Sequence, residues 1–156
     1  MRALLVGGGR PGLALTRQLA ADGHAVRFVT RNEGFVPEIE AAGGEAYLGD
    51  PDRIGSLRYA LDNVTVLLWL LGPAAGDPDL HGSRLTMMME RTIDTTVRGV
   101  VYEGTEAGAA EVARMAGYNE IPYAILTTPR SDEDAWVAAV GEAIDGILAA
   151  PRGAAG

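Results

Sequence analysis

Three glycines near the amino terminus have a spacing that suits phosphate chemistry. The stretch Gly7-Gly8-Gly9-Arg10-Pro11-Gly12 fits G-x-G-x-x-G, follows a strand-like apolar segment and opens a helix-like one. In such a turn Gly7 permits the tight bend, Gly9 lets a pyrophosphate approach the backbone, and Gly12 lets the helix pack closely on the strand. Free amides at the start of the helix, beside Arg10 and Pro11, attract phosphate. The alternative is a glycine-rich connection that binds nothing, and the strand–turn–helix context favours binding.

The residues after the second predicted strand indicate which dinucleotide this turn would hold. A unit that binds NAD usually places an acid there, about 20 residues after the turn, to hold the ribose 2′-hydroxyl. This chain has Thr30-Arg31-Asn32 instead, with no acid until Glu33. Arg31 would pair with a 2′-phosphate that an acid would repel, and Thr30 and Asn32 add short hydrogen-bonding side chains. We therefore expect NADP rather than NAD, although Arg31 as a solvated surface residue is the alternative.

Acid–base chemistry beside such a cofactor would need a proton carrier. Tyr102, Glu103 and His81 fall where the later strands end, and no catalytic role is assigned to any of them. The alternatives are a buried strand tyrosine, an exposed acid and a surface histidine at a helix start. All 13 basic residues are arginines, so a Tyr-x-x-x-Lys pair, a Schiff-base lysine and a Walker A lysine are excluded.

Apolar runs alternate with amphipathic stretches along the whole chain, which predicts an α/β fold. Strands are predicted over Ala3–Val6, Ala25–Thr30, Glu45–Leu48, Val64–Leu71, Val100–Tyr102 and Tyr123–Thr127. Helices are predicted over Pro11–Ala21, Val36–Ala42, Ile54–Leu61, Arg84–Thr96, Ala107–Met115 and Asp132–Ala149. Six strands that alternate with six helices imply a doubly wound parallel sheet with right-handed crossovers.

Composition bounds the partners and the cellular setting. The 156 residues suit one domain, predicted over 1–150, with a flexible tail over 151–156. A net charge of −8 argues against nucleic acid as a partner, because phosphate backbones need a basic face. With no cysteine, disulfides and cysteine-ligated metals are excluded, and no metal site is expected. No apolar run is long enough to span a membrane and no leader is apparent, so we expect a cytoplasmic protein.

With these residues in view, the chain resembles an atypical short-chain dehydrogenase/reductase of the NAD-dependent epimerase/dehydratase superfamily. The similarity is clearest in VGGGRPGLALTRQLAADGHAVRFVTRN and continues through EAYLGDPDRIGSLRYALDNVTVLLWLLGPA. It is weaker in RGVVYEGT and IPYAILTTP. The resemblance implies a Rossmann fold of three α/β/α layers around a six-stranded parallel sheet in the order 3-2-1-4-5-6.

The resemblance also implies further cofactor contacts. It places Gly49 and Asp50 near the adenine, where the alternative for Asp50 is an N-cap of the following helix. It places Leu71, Gly72 and Pro73 along the cofactor beyond the fourth strand. The chain departs from the family pattern in lacking Tyr-x-x-x-Lys and in ending after the sixth strand, without the substrate-binding part.

Met87-Met88-Met89 suggests an interface. Three consecutive helical residues spread around most of the helix circumference, so at least one should point away from the core. The helix in this region often forms the dimer contact in the family that the chain resembles. We therefore expect a homodimer, with core filling by Met88 as the alternative.

Two functional interpretations follow. The first is an NADP-dependent oxidoreductase or epimerase/dehydratase-like enzyme whose pocket is completed by a partner subunit. The second is a non-catalytic NADP(H)-binding module with a regulatory or redox-sensing role, which the missing lysine favours. A flavodoxin-like response domain is disfavoured, because that architecture needs five strands and acidic strand ends.

Overall fold

The computed structural model describes residues 1–72, 78–93 and 95–150 as one α/β unit. Its strands are β1 (Arg2–Gly7), β2 (Ala25–Thr30), β3 (Glu45–Leu48), β4 (Val66–Leu70), β5 (Gly99–Glu103) and β6 (Tyr123–Ile125). All five strand pairs are parallel and the order is β3-β2-β1-β4-β5-β6, which confirms the predicted sheet. The carboxyl ends of all six strands therefore meet along one edge.

Five α-helices cover the two faces of this sheet: α1 (Gly9–Ala21), α2 (Val36–Ala41), α3 (Ser83–Ile93), α4 (Glu106–Tyr118) and α5 (Glu133–Ala149). Side chains alternate between the two faces of the sheet along the buried strands and so form two cores. One core joins alternate residues of β1, β4 and β5 to α3 and α4, and the other joins the intervening residues to α1 and α5. All five residues of β4 are buried, as expected of a central parallel strand.

The third predicted helix, Ile54–Leu61, is wrong. The chain there forms only a 3-10 turn over Ile54–Leu57. Gly55 and Ser56 are weak helix formers. The Arg27 guanidinium also donates to the carbonyls of Ala60 and Asp62, at 2.6 and 2.9 Å. These hydrogen bonds stabilise a non-helical backbone.

The predicted caps also need correction. Asp50 is not an N-cap, because Arg53 holds that position before the 3-10 turn and Asp50 Oδ1 instead accepts from the amide of Asp52. Helix α5 begins one residue later than predicted, after Asp132, whose carboxylate accepts from the amide of Ala135. In both places a carboxylate accepts a hydrogen bond from the amide two or three residues later, and this bond stabilises the local turn.

The methionine run behaves as predicted on one point. Met88 and Met89 are fully buried, whereas Met87 is 40% exposed and points away from the core. Homodimerisation through this helix stays a prediction. No helix in the described ranges is long and apolar enough to cross a membrane. The predicted tail, 151–156, lies outside those ranges.

Candidate functional site

The glycine turn has the backbone that the G-x-G-x-x-G spacing predicts. Gly7, Gly8 and Gly9 all have positive φ, at 86°, 92° and 55°. Residues other than glycine rarely adopt this backbone conformation. A Cβ at Gly7 would overlap the carbonyl of Leu70. A Cβ at Gly12 would lie 2.9 Å from the ring of Phe28, so only glycine lets α1 pack this closely on β2.

Gly9 differs from its neighbours because the space that a side chain would occupy is open. The nearest atom to an added Cβ would be Cδ of Pro11, at 4.0 Å. The first amides of α1, at Gly9 and Arg10, have no carbonyl one turn before them within the helix, and Pro11 carries no amide hydrogen. The turn therefore presents two free donors and an open backbone, which fit a pyrophosphate.

A cavity of about 340 Å³ lies beside this turn, at the carboxyl ends of β1, β2 and β3. The predicted cofactor residues that line it are Gly7, Gly9, Thr30, Arg31, Asp50 and Leu71. Because these residues come from three strands and the turn, the topology brings together about half of the predicted cofactor residues.

Arg31 is the exposed cation of this cavity. It forms no hydrogen bond or ion pair with the described residues. Arg10, by contrast, pairs with Glu38 at 3.2 Å on the outer surface. The free guanidinium at the end of β2 fits a second phosphate group on a bound dinucleotide.

Four other predicted cofactor residues are placed differently. Pro11 and Gly12 lie on α1 without lining the cavity, and Asn32 Oδ1 accepts from the amide of Gly34 to cap a 3-10 turn. Gly72 lines a second cavity, of about 660 Å³. Pro73 lies outside the described residues.

Part of the cavity wall was not predicted from the sequence. Phe35 and Leu80 line it, together with Phe28, Val6, Val29, Pro51 and Asp52. Gly49, which the resemblance implied beside Asp50, also lines the cavity. The Phe35 ring meets the Phe28 ring edge to face at 5.8 Å, which fixes it beside Arg31. The alternation of β2 could have indicated Phe28, but no local pattern marks Leu80, which arrives from a segment after β4.

The three candidate proton carriers lie farther along the same edge and are buried. Tyr102 is inaccessible, and its hydroxyl accepts from the amide of Thr105 and lies 2.6 Å from Nδ1 of His81. The expectation of a surface histidine is therefore wrong, because His81 is only 6% exposed. Burial lowers the pKa of His81, and the nearby backbone of Gly72 opposes this shift. His81 is thus neutral near pH 7.

Glu103 is buried as well, so it is not an exposed acid at the strand end. One carboxylate oxygen accepts from Nε of Arg130 at 2.9 Å, and the other accepts from the indole nitrogen of Trp136 at 2.7 Å. Arg130 also donates to the carbonyl of Leu70 and lies over the Trp136 ring at 5.6 Å. Both Glu103 and Arg130 line the second cavity, of about 660 Å³.

Comparisons with known proteins agree with this geometry. The profile of a protein family described as NAD(P)H-binding matches residues 7–126. No curated protein matches the sequence.

Solved structures share the fold. Triphenylmethane reductase of Citrobacter sp., solved with NADP(H), is 20% identical over 80% of this chain and 48% of that chain, with a TM-score of 0.62. An NADPH-dependent quinone oxidoreductase (QOR2) of Escherichia coli is 17% identical over 82% and 47%, with a TM-score of 0.60. BdcA (YjgI) of Escherichia coli is 16% identical over 98% and 95%, with a TM-score of 0.69. The present chain spans about half the length of the first two.

Proposed function

This chain belongs to the NAD(P)H-binding family, and we propose that it binds NADP(H) in preference to NAD(H) and acts as an NADPH-dependent oxidoreductase. The observation that carries the preference is Arg31, a cation without a protein partner that lines the cavity beside the glycine turn. An adenosine 2′-phosphate would give this guanidinium its charge-assisted hydrogen bonds. The NADP(H) bound to triphenylmethane reductase supports the same choice.

The cofactor would extend across both cavities, and different residues of this chain would hold its parts. Amides at Gly9 and Arg10 would hold the pyrophosphate, Asp50 and Phe35 would border the adenine, and Arg31 would hold the 2′-phosphate. When bound, the nicotinamide supplies hydride chemistry, and the 660 Å³ cavity gives room for its ring and a substrate. A partner subunit would complete the open side.

A thermal-shift comparison of NADP with NAD tests the preference. NADP at 100 times its dissociation constant should stabilise the protein by about 2.7 kcal/mol, and NAD at the same concentration by clearly less. Arg31→Ala should remove this difference by weakening NADP at least tenfold. Arg17→Ala removes the same charge from an exposed position on α1 and should keep the difference. Equal shifts with both nucleotides in the unmodified protein would contradict the proposal.

A non-catalytic NADP(H)-binding module, with a regulatory or redox-sensing role, is the second candidate. It is favoured by the burial of Tyr102, His81 and Glu103, each of which is hydrogen-bonded inside the protein. The oxidation of NADPH with aldehydes, ketones and quinones separates the two candidates. Binding of NADP without turnover of any of these classes would support the module.

A further inference from the structure

A further cavity, the amino-edge cavity, lies where β5 and β6 begin, at the edge of the sheet opposite the nucleotide cleft. Its volume of about 270 Å³ gives room for about nine water molecules. Pockets for drug-sized ligands have roughly 300–1,000 Å³, so this cavity suits a smaller molecule. Among the described residues it shares no part of its wall with the two cavities at the carboxyl edge. A ligand bound here would therefore leave both of those cavities free.

The apolar part of this wall is mostly branched and aliphatic. Val97 and Ile147 are buried, at 8% and 4% exposed. The apolar residues that line the cavity are Ile93, Val97, Ile121, Pro122, Ile147 and Ala150. A ligand with a short branched hydrocarbon group would bury apolar surface here.

Two opposite charges line the same cavity without pairing. Arg98 and Glu120 are both exposed, and neither side chain forms a hydrogen bond or an ion pair with any described residue. The backbone of Arg98 is held in place, because its amide donates to the carbonyl of Thr65 at 2.7 Å. The cavity therefore presents one cation and one anion that a ligand could pair with.

Glu120 occupies a backbone position that favours glycine. Helix α4 ends in a Schellman turn, in which the Glu120 amide donates to the carbonyl of Gly117 at 3.3 Å. The Ile121 amide donates to the carbonyl of Ala116 at 2.8 Å. The φ of Glu120 is 57°, and glycine is the usual residue at this place in the turn. Because the turn does not call for a glutamate, its carboxylate at the cavity wall indicates a role in binding.

The surroundings of Glu120 suit an ammonium group. The side-chain nitrogen of Asn119 donates to the carbonyl of Met115 at 2.7 Å, and its Oδ1 accepts no hydrogen bond from the described residues. The C-terminal ends of α3, α4 and α5 also meet at this cavity. Such helix ends carry partial negative charge, which attracts a cation. A simple cation would be repelled by Arg98, whereas a zwitterion would satisfy both charges.

From these observations we infer that the amino-edge cavity binds a small branched aliphatic α-amino acid. Its ammonium group donates to Glu120 and to Oδ1 of Asn119, and its carboxylate accepts from Arg98. Its side chain packs against the aliphatic wall. The inference does not rest on the proposed function, because no described residue of the nucleotide site lines this cavity.

Titration of the isotope-labelled, nucleotide-free protein with L-leucine, followed by amide NMR, tests the inference. The expected result is a saturable shift of the amide signals of residues 95–98 and 119–121. Two analogues each lack one charge: 4-methylpentanoate has no ammonium group and 3-methylbutylamine has no carboxylate. Each should bind about tenfold more weakly than leucine. The inference would be overturned by the absence of a saturable shift at these amides up to the solubility limit of leucine, or by equal binding of either analogue.

Variants of the two charged residues assign their roles. Glu120→Gln and Arg98→Gln should each weaken leucine about tenfold. The control variants Glu40→Gln on α2 and Arg17→Gln on α1 remove the same charges at exposed positions away from the cavity and should not change leucine binding. Equal leucine affinities in the variants and their controls would contradict the inference.

Glu120→Gly separates binding from folding. Glycine suits the positive φ at this position, so the variant should unfold at a higher urea concentration than the unmodified protein. It should nevertheless bind leucine about tenfold more weakly, because the carboxylate is lost. Unchanged leucine binding in this variant would mean that Glu120 does not hold the ammonium group, and the inference would fail.

Discussion

Along the carboxyl edge of the sheet, the half built from β1, β2 and β3 and the half built from β4, β5 and β6 use their charged groups differently. In the first half Arg31 has no partner among the described residues, and Gly9 leaves an open backbone. In the second half Arg130, Glu103 and Trp136 satisfy one another. The first half is therefore arranged to receive charge from a ligand, while the second half holds its own charges in place.

This difference separates the two kinds of arginine at the edge. Arg31 would gain its hydrogen bonds only from a ligand, so its replacement should change binding rather than stability. Arg130 already neutralises a buried carboxylate, so its replacement should change stability first. Mutations can therefore test whether the two halves differ in the way that the structure indicates.

The largest expected effect is on the second half. Arg130→Ala leaves the Glu103 carboxylate buried without its counter-charge and should lower the free energy of unfolding by about 3 kcal/mol. Urea denaturation measures this change. Arg114→Ala breaks the exposed pair with Glu111 and should leave stability almost unchanged. Comparable losses in the two variants would show that Glu103 does not depend on Arg130, and the contrast between the halves would fail.

A smaller effect separates two glycines. Gly9→Ala and Gly23→Ala both place a side chain at positive φ without a close contact, so each should cost about 1 kcal/mol of folding free energy. Only Gly9→Ala would put a methyl group where the pyrophosphate approaches. The stabilisation by NADP, about 2.7 kcal/mol at 100 times its dissociation constant, should be lost in Gly9→Ala and kept in Gly23→Ala. Retention of the NADP shift in both variants would remove the glycine turn from the nucleotide site.

The smallest expected effect concerns pH. Because burial lowers the pKa of His81 in the folded protein below its ordinary value of 6.5, the unfolded chain binds more protons just below pH 6.5. His81 should therefore reduce stability as the pH falls from 6.5 toward its lowered pKa. Urea denaturation between pH 7.5 and pH 5 should show a shallower decline in the free energy of unfolding for His81→Gln than for His24→Gln. The His24→Gln variant retains the buried imidazole of His81. Identical slopes would mean that the burial of His81 does not govern this pH dependence.

The same division explains what the sequence could predict. The alternation of strands and helices follows from local periodicity, the glycine turn follows from one short motif, and the strand order follows from the family resemblance. Arg31 follows the glycine motif at a fixed distance. The bonds of the second half join residues that are far apart in sequence, such as His81 with Tyr102 and Glu103 with Trp136. Such pairs depend on how loops from different strands meet, and no local pattern encodes that meeting.

One predicted helix and one residue of the cavity wall show the same limit of prediction from sequence. The helix predicted over Ile54–Leu61 matched a local pattern. The Arg27 guanidinium on β2 instead donates to the carbonyls of Ala60 and Asp62 and holds this segment in another conformation. Leu80 belongs to a segment that the Trp69 indole holds by donating to its carbonyl at 3.1 Å, a contact between residues eleven positions apart. In both cases a tertiary hydrogen bond overrides or adds to what local propensity indicates.

Leu71 stands between the two cavities, and its Cδ2 would be 2.8 Å from a Cβ on Gly7. One side chain therefore borders both compartments, and a change of its rotamer would alter the shape of both. If occupants on the two sides favour the same rotamer, each strengthens the other by the same free energy, as thermodynamic linkage requires. The nucleotide affinity, measured with and without the second compound, would then report this cooperativity without any reaction taking place.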